Sequence, residues 1–293
     1  MRSTLRAIAF CLAMACCAVA VAAEEPASQI PLWNGRAPVG DGTFEAADAR
    51  ITLHRPEKPN GVAVVICPGG GYGGLVVGGE GHGIAKWLNK HGVTGVVLEY
   101  RLPAGRHQVP LLDAQRALRT ARANANAWGI DPARVGIMGF SAGGHLASTA
   151  ATHFDSGDQQ ADDPIGRQSC RPDFAILVYP VVSMGPATHG GSKSNLLGKD
   201  PSAELISLYS NESQVTEQTP PTFLAHAQDD KPVPPENSRA FFSALVAHHV
   251  PAKYLELPSG GHGLNGYKGP MWDAWQQQSL AWLLELKIIP DSE

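Results

Sequence analysis

Short apolar segments with strand character alternate with segments of helical periodicity along most of the chain, and this alternation constrains the fold more than any other feature. Residues 62–67 (VAVVIC) are continuously apolar, as expected of a strand that is buried on both faces. In 110–128, apolar residues recur at helical spacing up to Gly129. Alternating strands and helices build a mostly parallel central sheet flanked by helices on both faces, so we predict an α/β fold.

The same pattern predicts where each element lies and which residues follow it. The predicted strands are residues 51–55, 62–67, 93–101, 135–140, 174–181, 222–228 and 253–257. The predicted helices are residues 83–91, 110–128, 142–153, 203–209, 235–249 and 271–286. In such sheets ligands bind outside the carboxyl ends of the strands, so the residues that follow each strand are the first candidates for a functional site.

The amino terminus has the pattern of a cleaved signal peptide. Arg2 and Arg6 precede an apolar stretch, 7–21, which ends in small residues at 21–23. A membrane anchor is disfavoured because the apolar stretch is short, and a lipoprotein would need a better lipobox before Cys16 or Cys17. We predict a signal peptide at 1–23 and a secreted or periplasmic protein, with an N-terminal arm at 24–50 packing on a domain at 51–293.

Charge and composition exclude several classes of partner. Asp and Glu number 27 against 23 Lys and Arg, and loss of Arg2 and Arg6 with the signal peptide makes the balance more acidic. With no basic run after residue 23, we expect neither a nucleic acid nor, for the mature form, a membrane as partner. Metal-binding and Walker A motifs are absent, so no metal and no cofactor is expected. For Cys67 and Cys170 the sequence is compatible both with free thiols and with a disulfide between them.

The sequence Gly-Phe-Ser-Ala-Gly-Gly at 139–144 points to a nucleophilic serine. It is a G-x-S-x-G pattern between a predicted strand and a predicted helix, which is the setting of a nucleophile elbow. Small flanking residues let the backbone turn sharply and expose the Ser141 hydroxyl. A serine in a glycine-rich turn that merely caps the helix is the alternative.

A serine hydroxyl needs a base, and the base needs an acid that orients it. In this strand–helix arrangement the chain order is serine, then Asp or Glu, then His, each after a strand. His262 follows the strand at 253–257 and is flanked by glycines, so we predict it as the base. Asp229 and Asp230 both follow the strand at 222–228, and the D-x-x-V-P spacing favours Asp230 as the orienting acid.

The glycine-rich segment 68–74 (PGGGYGG) supplies the third requirement, a site for an oxyanion. Its glycines leave backbone N–H groups uncovered, and we predict that the Gly70, Gly71 and Ala142 amides hold the developing charge. The segment also matches G-x-G-x-x-G after a strand, with Glu99 ending the next strand, which is the outline of a dinucleotide site. The loop at 75–81 and the unexplained serine, aspartate and histidine disfavour that interpretation.

Together these segments resemble the secreted acetylxylan-esterase-like (esterase/lipase) group of α/β-hydrolase serine esterases. The segments that carry the resemblance are 30–33, 68–72, 99–102, 139–144, 195–198, the DDKPVP stretch at 229–234 and the GGHG stretch at 260–263. The resemblance covers nearly the whole mature chain and implies an α/β-hydrolase fold, a serine esterase and short acyl esters, acetyl above all, on plant cell-wall carbohydrate. Pro68 stands where hormone-sensitive-lipase relatives carry His, which argues against a lipase.

A long segment between two predicted strands bears on the substrate pocket. Residues 182–221 are too long for a plain connection, and we expect them to cover the pocket mouth. Tyr72, His189 and Asp229 are candidate pocket residues, Asp229 also as a turn-forming neighbour of the acid. A serine peptidase or amidase, a general small-ester carboxylesterase and a non-catalytic binding protein on the same fold remain alternatives.

Overall fold

An eight-stranded sheet runs through the centre of the protein. In the computed structural model, residues 28–33, 37–39 and 49–290 are described. The strands are β1 Ser28–Pro31, β2 Arg50–His54, β3 Ala63–Cys67, β4 Thr94–Glu99, β5 Val135–Phe140, β6 Ala175–Val178, β7 Thr222–Ala227 and β8 Ala252–Leu257.

The strand order in the sheet is β1-β2-β4-β3-β5-β6-β7-β8. β2 pairs antiparallel with β1 and β4, and every other pairing is parallel. The prediction of a mostly parallel α/β sheet is therefore confirmed. Because β3, β5, β7 and β8 run in the same direction, the loops at their carboxyl ends emerge at one edge of the sheet.

Helices cover both faces of the sheet. They are α1 Gly83–Asn89, α2 Gln108–Ala123, α3 Ala125–Trp128, α4 Ala142–Thr152, α5 Gly190–Leu197, α6 Ala203–Leu208, α7 Glu236–Ala247, the single turn α8 Leu264–Tyr267 and α9 Pro270–Glu285. The helix predicted at 110–128 starts earlier and is interrupted at Asn124, which leaves helical geometry with φ −100° and ψ 10°. The elements that were not predicted are β1, α5, α8, a π-helical turn at Gly78–His82 and a 3-10 turn at Asn211–Ser213.

Alternate residues of each buried strand belong to two separate hydrophobic layers, one on each face of the sheet. On β3, Ala63, Val65 and Cys67 belong to the layer that contains residues of α2, α4 and α7, whereas Val64 and Ile66 belong to the layer on the opposite face that contains residues of α1 and α9. Since each fully buried Val or Ile contributes about 1.5–3 kcal/mol, the doubly covered strands form a rigid base for the loops at their ends.

The described part of the N-terminal arm packs on the domain. Leu32 is buried, and the Trp33 Nε1 donates a 2.7 Å hydrogen bond to Asp113, which is also ion-paired to the buried Arg101. The predicted signal peptide and most of the residues from 24 to 48 lie outside the described residues.

None of the helices in the described residues is both long and apolar enough to cross a bilayer. Cys67 and Cys170 are free and buried, so the disulfide that the sequence allowed between them is not formed in this structure.

Candidate active site

Ser141 lies at a sharp turn between β5 and α4. Its backbone has φ 54° and ψ −121°, a region that costs a non-glycine residue about 1–3 kcal/mol and persists only where the surroundings hold it. The flanking glycines make this turn sterically feasible. A Cβ on Gly139 would collide with the Gly143 carbonyl, and a Cβ on Gly143 would collide with the carbonyls of Cys67 and Pro68. The turn is the strained strand-to-helix geometry expected of a nucleophile elbow.

His262 and Asp230 continue from Ser141 in a hydrogen-bonded series. The Ser141 Oγ lies 2.9 Å from His262 Nε2, and His262 Nδ1 lies 2.7 Å from Asp230 Oδ2. A carboxylate accepts only, so Nδ1 carries the proton and Nε2 is left to accept the proton of the serine hydroxyl. The three residues come from the loops after β5, β7 and β8, in the chain order that the sequence predicted.

The environment of Asp230 favours its charged form. Burial is the largest single influence and raises the pKa, but hydrogen bonds from His226, His262 and the Val233 amide outweigh it and hold the pKa of Asp230 at about 2. His226 is fully buried with its Nε2 3.3 Å from Asp230 Oδ2 and its Nδ1 2.8 Å from the Ser238 Oγ. Sequence reasoning missed His226, although it lies inside the strand that leads to Asp230.

Asp229 has a different place from Asp230. Its carboxylate is exposed and accepts the Gly261 amide at 2.8 Å and the Gly260 amide at 3.3 Å. It therefore holds the glycine turn that precedes His262, which fits its expected turn-forming place. Only Asp230, of the two neighbouring aspartates, is hydrogen-bonded to the His262 imidazole.

The glycine segment 68–74, here called the glycine loop, passes beside Ser141. Gly70 and Gly71 have φ of 130° and 63°, and the amides of Gly73 and Gly74 both donate to the Gly70 carbonyl. A Cβ on Gly69 would lie 3.0 Å from the Ser141 Cβ. Within the described residues, the N–H groups of Gly70, Gly71 and Ala142 donate to no hydrogen-bond acceptor. These N–H groups, the predicted oxyanion donors, thus belong to backbone next to the serine.

Tyr72 differs from its expected place as a pocket residue. Its side chain is 2% exposed, and its hydroxyl lies 2.9 Å from the Nδ1 of the fully buried His145. The His145 Nε2 faces the Tyr209 carbonyl at 2.9 Å, so Nε2 carries the proton and Nδ1 accepts from Tyr72. Burial lowers the pKa of His145 to about 4, which keeps it neutral. Tyr72 and His145 therefore support the glycine loop from inside the protein.

The long segment 182–221 contacts the glycine loop from outside. His189 caps α5 by accepting the Ser192 amide on its Nδ1, and its Cε1 would lie 3.8 Å from a Cβ on Gly71. Asn195 on α5 donates to the Gly71 carbonyl at 2.8 Å. Burial, followed by the proximity of His262, lowers the pKa of His189. His189 is thus near the site as a neutral, half-buried ring, and Asn195 is a second contact that sequence reasoning did not single out.

The dinucleotide outline of the glycine loop is not matched by the structure. The loop folds back on the Gly70 carbonyl and leads into a π-helical turn, and α1 begins only at Gly83. Glu99, the residue that would face a ribose, forms a 2.7 Å ion pair with Arg50. Within the described ranges, no group of three or more His, Cys, Asp or Glu side chains is placed to hold a metal ion.

The fold and this geometry are those of the α/β-hydrolase class of serine hydrolases. The BD-FAE family model matches residues 51–245, which is more than half of the chain, and the chain belongs to that family.

Relatives and solved structures agree with this assignment. The acetylxylan esterase of Xylanibacter ruminicola is 39% identical over 220 residues, covering 73% of this chain and 43% of the relative. The endo-1,4-beta-xylanase B of Butyrivibrio fibrisolvens is 37% identical over 228 residues, covering 76% of this chain and 35% of the relative. The chain thus spans less than half the length of these two curated relatives.

A solved structure matches over almost its full length. The acetyl ester-xyloside bifunctional hydrolase from Caldicellulosiruptor lactoaceticus superposes with a TM-score of 0.82 at 39% identity, covering 90% of this chain and 97% of that one. The predicted resemblance to acetylxylan-esterase-like α/β-hydrolases is confirmed.

Proposed function

We propose that this chain is a serine esterase that removes short acyl groups, acetyl above all, from acetylated plant cell-wall carbohydrate. The observation that carries the proposal is the hydrogen-bonded series from the Ser141 Oγ through His262 to Asp230. A serine with a base in hydrogen-bond reach, and a buried carboxylate on the other nitrogen of that base, is the arrangement that activates a hydroxyl for acyl transfer.

In the proposed acylation step, the Ser141 Oγ attacks the ester carbonyl carbon while His262 Nε2 takes the hydroxyl proton. Asp230 stabilises the imidazolium that forms, and it keeps the proton of the neutral ring on Nδ1. The carbonyl electron pair moves to oxygen, and in this proposal the amides of Gly70, Gly71 and Ala142 donate to it. One such donor is typically worth about 10²–10³ in rate.

Collapse of this intermediate breaks the bond to the alcohol, which leaves with the proton from His262. A water molecule then attacks the acyl-enzyme, gives its proton to His262 Nε2, and the acid is released as Ser141 recovers its proton.

The proposed substrate class rests on the relatives. One curated relative is an acetylxylan esterase, another a xylanase, and the solved neighbour is an acetyl ester-xyloside hydrolase. More distant relatives include an ethyl acetate hydrolase of Pseudomonas putida, 31% identical over 139 residues. Three of these names, those of the acetylxylan esterase, the acetyl ester-xyloside hydrolase and the ethyl acetate hydrolase, contain an acetyl ester, and the names of the esterase, the xylanase and the xyloside hydrolase contain xylan or a xyloside.

The test is acetate release from acetylated xylo-oligosaccharides, beside the Ser141→Ala variant. We expect release by the wild type and a loss of about 10⁶-fold in kcat in the variant, as for other serine nucleophiles. If the wild type cleaves p-nitrophenyl acetate but not the acetylated sugar, the carbohydrate assignment fails and a small-ester carboxylesterase is supported. Cleavage of amides in preference to esters would instead support a peptidase or amidase.

We also infer that residues 1–23 direct the chain out of the cytoplasm and are removed. Support comes from the basic residues before the apolar stretch 7–21 and from the small residues that end it. Mass spectrometry of the protein from a periplasmic or culture fraction should give a chain that begins at Glu24. A cell-associated chain that still carries residues 1–23 would contradict the inference.

A further inference from the structure

Glu80 is a buried carboxylate next to the site that the mechanism above does not use. It lies in the π-helical turn Gly78–His82, a kind of turn that is often found at functional sites, and its side chain is 3% exposed. Its Oε2 accepts the Gly69 amide at 2.7 Å, and its Oε1 accepts the Tyr179 hydroxyl at 3.0 Å. The Tyr267 hydroxyl lies near enough to lower the pKa of the carboxylate as well.

The first contact reaches the glycine loop where it passes the serine. Gly69 immediately precedes Gly70 and Gly71, whose amides are the proposed oxyanion donors. A Cβ on Gly69 would lie 2.7 Å from Glu80 Oε2 and 3.0 Å from the Ser141 Cβ. The Gly69 backbone is therefore held between the carboxylate and the serine, and the position of Glu80 sets where the loop begins.

The Tyr179 contact reaches the base, and the nearby Tyr267 lies in the loop that carries the base. The Tyr179 ring packs edge-on against the His262 imidazole, with ring centroids 4.9 Å apart and an interplanar angle of 61°. Tyr179 follows β6 with a strained φ of 38°, so its position depends on its contacts. Tyr267 ends the short turn α8, which follows His262 in the same loop. One carboxylate thus holds residues on both sides of Ser141.

The partners of Glu80 are suited to an ionised carboxylate. The pKa of Glu80 is raised above its ordinary value, because burial, the largest influence, outweighs the Gly69 amide and the two tyrosine hydroxyls, which lower it. Each of these groups can donate a hydrogen bond, and both carboxylate oxygens are occupied by donors. A buried carboxylate that accepts several hydrogen bonds is rigid, because losing any one of them leaves a donor unpaired.

We propose that Glu80 is a positioning residue that keeps the oxyanion amides of the glycine loop and the His262 imidazole in register around Ser141. The proposal rests on the esterase function proposed above. Glu80 acts through Gly69 and Tyr179 and touches none of the reacting atoms. A displacement of about 1 Å in such a group costs on the order of a hundredfold in rate, which sets the scale of the effect.

The test compares Glu80→Ala with Glu80→Gln on p-nitrophenyl acetate, with kcat expressed per active site titrated by a fluorophosphonate. Titration separates a loss of folded sites from a loss of rate at each site. We expect Glu80→Ala to lower kcat per site by about ten- to a hundredfold with KM changed by no more than about twofold. Glu80→Gln should recover most of this, because its amide oxygen can accept the Gly69 N–H and its NH₂ group can donate to a tyrosine oxygen.

Tyr179→Phe removes one contact and keeps the ring against His262, so it tests the proposal even if Glu80→Ala fails to fold. A several-fold loss of kcat per site is expected. Tyr254→Phe is the matched control: its hydroxyl reaches Glu256 at 3.5 Å on β8, away from the site, and its kcat should equal that of the wild type.

Wild-type kcat per site in both Glu80→Ala and Tyr179→Phe would overturn the proposal, as would equal losses in Glu80→Gln and Glu80→Ala. If the wild-type protein cleaves no ester at all, the proposed function fails instead. The two failures are thus distinguished by the wild-type measurement.

Discussion

The two sides of Ser141 are built from different chemistry. On one side, here called the histidine side, the loops after β7 and β8 present ionisable groups, His262 and Asp230, with the fully buried His226 behind them. On the other side, the glycine loop presents backbone amides and is supported by the neutral pair of Tyr72 and His145. The first side depends on where protons and charges lie, and the second depends on backbone conformation and space.

A histidine lies on each side, half-buried His262 on one and fully buried His145 on the other, and its partners decide what it can do. His262 faces a carboxylate on Nδ1 and a hydroxyl on Nε2, so it can accept a proton while Asp230 balances the charge. His145 faces a hydroxyl and a backbone carbonyl, neither of them charged, and burial lowers its pKa to about 4. With no carboxylate beside it, His145 has only a structural role in this arrangement.

The largest effect is expected from removing the negative charge of Asp230 on the histidine side. Asp230→Asn keeps the size of the side chain but presents an amide to His262 Nδ1, so the ring loses the partner that fixes its tautomer and balances its charge. We expect kcat for ester hydrolysis to fall by about 10⁴-fold, as in other triads that lose the charged acid. Steady-state kinetics on p-nitrophenyl acetate measures this, with circular dichroism as the check on folding.

Asp229→Asn is the matched control for that variant, since the neighbouring carboxylate contacts only the Gly260 and Gly261 amides. The Asn oxygen can still accept one of these amides, so we expect at most about a tenfold loss in kcat. If Asp229→Asn lost as much activity as Asp230→Asn, the assignment of Asp230 as the orienting acid would be wrong.

The second-largest effect is expected from distorting the backbone of the glycine loop without changing any charge. At Gly70, φ is 130°, and a Cβ would collide with the Gly74 carbonyl, so Gly70→Ala must move the loop. We expect kcat to fall by about 10²–10³-fold, the value of one oxyanion donor, with KM little changed. Gly74→Ala is the control, since a Cβ there meets nothing within 4 Å. Equal activities of the two variants would show that the loop does not hold the oxyanion.

Much of the fold could be predicted because buried parallel strands have a distinctive sequence pattern. β3, β5 and β7 are short runs of mostly apolar residues, and all three are buried throughout. β1 was missed because Ser28–Pro31 is a short, largely exposed edge strand. α5 was missed because it begins with two glycines, and its start depends on capping by the His189 side chain. Such capping contacts are specific to one conformation and leave little trace in periodicity.

The site divides in the same way. Ser141, Asp230 and His262 could be placed because each follows a strand and parallel strands bring their carboxyl ends together. Glu80, Asn195 and Tyr179 could not be placed, because their contacts join segments far apart in sequence. Tyr72 was expected in the pocket from its position in the glycine loop. Its positive φ of 59° accompanies a side chain that is turned inward to His145, and periodicity does not report that direction.

The smallest expected effect concerns the neutral His145, which supports the glycine loop together with Tyr72. The pKa of His145 is about 4 in the folded protein and 6.5 when the residue is exposed, so the unfolded chain binds more protons between these values. The stability that depends on a neutral His145 is present above pH 6.5 and is lost as the pH falls toward 4. We expect His145 to account for a loss of about 2 kcal/mol in the free energy of unfolding between pH 7 and pH 5.

Urea unfolding of the wild type and of His145→Gln at both pH values isolates this loss. The variant should be less stable at pH 7, because buried hydrogen bonds to Tyr72 and Tyr209 are disturbed, yet it should lose about 2 kcal/mol less on acidification. His248→Gln, at an exposed position after α7, should follow the wild type. If His145→Gln lost as much stability on acidification as the wild type, His145 would not be held neutral, and the contrast between the two sides of Ser141 would not rest on charge.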